Sequence, residues 1–98
     1  MNTERIPIDL FIFQCLRIER VQSVIAGWRV DNKIIQSVLV KHFREMGIFF
    51  VIPNQVELIL ATVVHQLHNS VELTAMVKKA QAEEAARSRQ RERESKIN

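Results

Sequence analysis

The chain has 98 residues, 47% apolar and 26% charged, with a formal net charge of +3, one cysteine and two glycines. That length holds one small domain, Cys15 alone excludes an intramolecular disulfide framework, and two glycines are too few for a glycine-rich phosphate loop. The longest apolar run, Ile48 to Ile52, has five residues, against the about 20 of a membrane-spanning helix. With no basic stretch or small-residue cleavage site at the N-terminus, the expectation is a cytoplasmic protein without membrane contact.

Pro7 suits the first turn of a helix and Asp9 adds favourable charge there, so a helix is predicted over 8–26 with Gly27 as its left-handed terminator. Its apolar residues run nearly all round the first two turns. The second helix, 31–46, has Asp31 as N-cap and Val30 placed to staple onto Ile35. Ile34/Ile35, Val38/Leu39, His42/Phe43 and Met46 recur at helical spacing. Gly47 then supplies the C′ position, with Ile48 placed to meet Phe43 in a Schellman ending. The segment 48–52 is too apolar for an exposed loop and too short for a helix; it reads as a buried connector or as a strand needing a partner.

The third helix, 54–68, opens on Asn54 with Glu57 three residues on, a capping-box arrangement. Val56, Ile59/Leu60, Val63/Val64 and Leu67 form its stripe, and Asn69-Ser70 breaks it. A fourth helix, 71–90, puts Leu73, Met76, Val77 and Ala80 on one side and turns polar from Gln81. Glu83→Arg87 and Glu92→Lys96 are spaced for ion pairs worth about 0.2–0.5 kcal/mol each, and fraying is expected after Arg89. The fold class is therefore mainly α, a small bundle of about four helices. Residues 1–80 make a single core domain, and 81–98 a charged helical extension frayed at its end.

No pattern in the chain describes an active site. His65 and His68 lie one turn apart, but Glu72 is the nearest downstream carboxylate and zinc generally takes three or four protein ligands. They read as partly exposed histidines beside an apolar stripe, and His42 as a boundary residue. Cys15 sits on an apolar face, which raises a thiol pKa rather than activating it. Asp9, Asp31 and Glu57 have helix-start roles. The chain is expected to be no enzyme, and to bind neither cofactor nor metal.

Cations concentrate near the C-terminus: Lys78 and Lys79, then Arg87, Arg89, Arg91 and Arg93. Such a cluster can neutralise phosphates or meet an acidic partner. Glu83, Glu84, Glu92 and Glu94 intersperse it, a mixture more typical of solvated or helix-pairing faces. Helices 31–46 and 54–68 do not make a helix-turn-helix, because a reading helix must offer polar side chains to base edges, and Val56 to Leu67 is dominated by apolar ones.

The order of short strand, Pro, helix, brief turn and helix across residues 48–80 resembles the ribbon-helix-helix DNA-binding dimers. Ile52-Pro53 matches the end of the family's strand, and Val56, Ile59/Leu60 and Leu73 its core positions. The resemblance implies dimerisation. Where that family places polar, base-reading strand residues, this chain has Phe49 and Val51, which cannot read hydrogen bonds.

Only four of the last eighteen residues are apolar, so the apolar content gathers in the first eighty. A domain of this size buries only about 60–65% of its unfolded surface. The all-round apolar segment Leu10–Leu16 and the run Ile48–Ile52 are the expected surplus, making Phe11, Phe13, Phe49, Phe50 and Val51 candidate partner-binding residues. The expected function is a non-catalytic interaction or modulator protein, of the kind found among small phage or plasmid accessory and inhibitor proteins. It would bind a larger protein, or a second copy as a homodimer, through this apolar surface and the basic helix. The alternative is a small dimeric DNA-binding transcriptional regulator.

Overall fold

The computed structural model describes residues 4–96. Among them, two segments far apart in sequence pair: Ile6–Pro7 (β1) runs antiparallel to Phe50–Val51 (β2), with Ile6 opposite Val51 and Pro7 opposite Phe50. The segment 48–52 thus contains a strand, and its partner comes from its own chain. Burial explains the pairing. Val51 is fully buried, and buried backbone must find partners for its N–H and C=O groups. Ile8 N–H adds a bond to the Phe49 carbonyl at 3.1 Å. The strand–Pro–helix–turn–helix order of residues 48–80 is present, but this ladder is intramolecular rather than the dimeric ribbon that the resemblance implied.

The single helix expected over 8–26 is two. Helix α1 (Ile8–Cys15) ends in a tight turn, and α2 (Glu19–Ile25) restarts after Ile18, whose backbone is extended at φ −86°, ψ 131°. Two bonds spanning three residues close the turn, Arg17 N–H to Gln14 C=O and Ile18 N–H to Cys15 C=O. The Gln22 side-chain amide donates to the Leu16 carbonyl across the bend. A straight helix could not have hidden apolar residues distributed all round it. The break gives each half its own inward face: Ile8, Phe11, Ile12 and Cys15 on α1, Val21 and Ile25 on α2.

Pro7 is the extended residue ahead of α1 (φ −55°, ψ 144°) rather than part of its first turn, because the strand ladder holds it out of helical backbone. Asp9 does occupy the first turn. Gly27 is not a left-handed terminator either. It lies within a 3-10 turn, Ala26–Trp28, and the positive φ falls at Arg29 (φ 53°).

Helix α3 (Asn32–Glu45) follows its sequence signals closely. The Asp31 carboxylate accepts from Lys33 N–H at 2.8 Å, and Ile35, Val38, Leu39, His42 and Phe43 are buried. At its end Gly47 takes φ 86°, Gly47 N–H bonds to Arg44 C=O and Ile48 N–H to Phe43 C=O, both at 2.9 Å, which is the paired geometry of a Schellman ending. The capping box at Asn54 does not form. Pro53, with its φ already set for a helix, starts a 3-10 turn (Pro53–Gln55), so the chain is turning at Asn54 where a cap would need extended backbone. Helix α4 (Val56–Asn69) therefore begins without a side-chain cap.

One residue separates α4 from α5 (Val71–Lys96), and that residue acts as a cap: Ser70 Oγ accepts from Leu73 N–H at 3.0 Å. Helices α1 and α5 both pack on α3, and α2 packs on α4. Leu73 and Val77 of α5 are buried, with Met76 and Ala80 packed beside them. From Ala85 to Glu94 every residue is exposed, and the helix runs to Lys96, beyond the expected span of 71–90. A helix nucleated by its packed half propagates at little cost through Ala, Glu, Gln and Arg. The molecule measures 60 × 26 × 24 Å; α5, at 1.5 Å per residue about 39 Å long, runs well past the core.

Candidate interaction surfaces

Burial divides the five residues expected to bind a partner. Phe11 and Val51 belong to the core, at 4% and 0% exposure. Phe11 is part of the inward stripe of α1, and Val51 alternates inward on β2, where successive side chains point to opposite faces. Phe13, Phe49 and Phe50 are exposed, at 47%, 60% and 42%. The pairing of Pro7 with Phe50, and the bond from Ile8 N–H to the Phe49 carbonyl, bring the last two to the N-terminal end of α1. The outward positions of that helix are Leu10 and Phe13, one turn apart.

Three further exposed groups stand outside the five named candidates. Leu10 is 46% exposed, Met46 at the end of α3 is 43% exposed, and the Arg5 guanidinium lies 4.5 Å from the centroid of the Phe50 ring. The first was legible: once Ile8, Phe11, Ile12 and Cys15 are taken as the buried i, i+3, i+4, i+7 set, Leu10 and Phe13 fall on the opposite face. The Arg5 stacking had no local signal, because strand pairing across the chain creates it. A cation over an aromatic face contributes roughly 0.5–1 kcal/mol at an exposed site.

The six candidate cations are all on α5, and the helix sorts them. Arg87 and Arg91 both pair with Glu84, at 3.0 and 3.1 Å. These three continue the packed stripe Leu73, Val77, Ala80 beyond the core, at alternating spacings of three and four. Arg87 therefore pairs with Glu84 and not with Glu83 as expected; the Glu92–Lys96 pair lies outside the described side chains. Arg89 and Arg93 take the opposite side of the helix and make no ion pair among the described residues. Lys78 lines, with Trp28, Leu67 and His68, an open cleft of about 400 Å³ beside the 3-10 turn. Lys79 borders a separate cleft between α3 and α5.

His42 is not at a boundary but buried, at 4% exposure, with Nε2 3.0 Å from Gln66 Oε1 of α4. That bond satisfies a polar group inside the core and ties α3 to α4. His65 is exposed, its Nδ1 3.2 Å from the Asn69 amide, and His68 is exposed as well. No group of three or more His, Cys, Asp or Glu able to hold a metal ion occurs among the described residues. The Cys15 thiol is buried, and desolvation pushes its pKa up to about 11, which keeps it protonated and poorly nucleophilic at neutral pH. Among the described residues no helix is long and apolar enough to cross a membrane.

No family model, curated protein or solved structure matches this chain.

Proposed function

We propose that this chain is a non-catalytic docking module that binds a protein partner through the exposed face formed by Leu10, Phe13, Phe49 and Phe50. The observation that carries the reading is the exposure of Leu10 and Phe13 on α1 and of Phe49 and Phe50 beside its N-terminal end, in a chain that buries eighteen other apolar side chains. Aromatic residues, Phe included, and arginine are enriched at interfaces, and aromatic rings bury large area with few rotamers to freeze. Arg5 stacked on Phe50 supplies that combination here. The partner is a larger protein that this chain modulates, or a second copy of the chain.

The test compares wild type with Phe49→Asp and Phe13→Asp, both at exposed positions. Tagged wild-type protein expressed in its native cell should enrich a defined partner, and each variant should reduce that enrichment at least tenfold while its circular dichroism is unchanged. Sedimentation of the purified chain separates a second copy from a different protein. Identical captured proteins and identical mass for wild type and both variants would remove the assignment.

A further inference from the structure

Residues 1–84 carry nine Lys/Arg and nine Asp/Glu, whereas residues 85–98 carry five Lys/Arg against two Glu, a net of +3 that equals the charge of the whole chain. The structure makes this division physical. The body ends at Glu84, the last partly buried residue among the described side chains of α5, and from Ala85 to Glu94 the helix is exposed on every side. A neutral body thus bears a cationic helical arm. The segment from residue 85 to 96 spans about 18 Å at 1.5 Å per residue.

From this we infer that the arm is a DNA-binding helix that enters the major groove of a B-form duplex, an activity beyond the docking function proposed above. The arrangement of the cations selects this occupant. Arg87, Arg89, Arg91 and Arg93 stand at every second position, and at about 100° per residue alternate members face opposite sides of the helix. Arg87 and Arg91 point one way; Arg89 and Arg93 point the other. A flat acidic surface or a single acidic helix meets only one of those sides. A groove about 12 Å wide encloses a helix of similar diameter and presents a phosphate strand on each flank, so both pairs find partners at once. Four of the arm's five cations are arginines, the residue suited to bidentate contacts with phosphate or guanine. Ala85, Ala86 and Ser88 keep its base small enough for close approach.

The carboxylates set the strength. Glu92 and Glu94 oppose phosphate, and Glu84 holds Arg87 and Arg91 at 3.0 and 3.1 Å. Duplex binding exchanges those exposed ion pairs for phosphate contacts, so Glu84 acts as an internal competitor that keeps the arm from binding polyanions too tightly.

Fluorescence anisotropy of the full chain with a labelled 20-base-pair duplex of random sequence tests this. Between 50 and 200 mM salt, affinity should fall about 100-fold, the loss expected for four neutralised phosphates. Arg89→Ala/Arg93→Ala should halve the logarithmic salt slope with unchanged circular dichroism, since both side chains are exposed and make no ion pair among the described residues. Glu84→Gln should tighten binding severalfold at 50 mM by releasing two arginines. The assignment is overturned if the duplex fails to bind at 50 mM, if the double variant keeps the wild-type slope, or if poly-glutamate binds as well as DNA does. Phe49→Asp should leave duplex binding intact, so failure of the docking face and failure of the arm are read separately.

Discussion

Cys15 faces the core from the last turn of α1, and its thiol shows how burial alone fixes reactivity. Desolvation favours the neutral form and raises the pKa to about 11. Because the folded pKa lies above that of the unfolded chain, the resulting stability is complete below the ordinary thiol pKa. It is lost as pH rises through that of the folded state. Urea midpoints measured from pH 8 to 11 should therefore fall with pH, and Cys15→Ala should flatten the part of that fall due to the thiol. This outcome was legible from the apolar neighbours Phe13 and Leu16. The burial of His42 was not: its place in the α3 stripe was visible, but its partner Gln66 lies on another helix.

The helix boundaries show which local signals survive folding. Asp31 and Gly47 act as their chemistry demands, since nothing competes with the cap or with the left-handed ending. Asn54 fails because Pro53 has already committed the backbone to a turn, while Ser70, in the one-residue gap between two helices, makes the cap that α5 needs. Ser70→Ala should cost about 1 kcal/mol in chemical denaturation. Asn54→Ala should change stability by no more than a few tenths of that, the two variants together separating an observed cap from a sequence motif without one. At residues 16–18 the chain bends between α1 and α2. An all-round apolar helix was the visible signal, but the choice between an exposed long helix and a broken buried one belongs to the packing.

At the scale of the molecule, core and arm are independent in what they contribute. Among the described residues the apolar side chains that stabilise the fold lie at or before Ala80, and residues 85–94 of the arm are all exposed. Removing residues 85–98 should leave the thermal midpoint within about 2 °C of the full chain, because exposed ion pairs such as Glu84–Arg87 contribute little. The same truncation should bring the protein to near-zero net charge, detectable as a large drop in retention on a cation exchanger. A midpoint lowered by 10 °C would show that the arm folds back on the core.

Periodicity, caps and composition determined by themselves that the chain is a small helical bundle, where α3 starts and stops, and that the C-terminal segment is polar and helical. These are local properties, set by side-chain spacing and by backbone preferences within a turn or two. Only the tertiary structure decided that β2 pairs with β1, that α1 breaks from α2, and that Phe11 and Val51 are interior while Phe13, Phe49 and Phe50 face outward. It also decided that the net charge sits on an arm clear of the body. Each of those outcomes depends on which residues distant in sequence share the limited interior of a 98-residue chain, and no window along the sequence contains that competition.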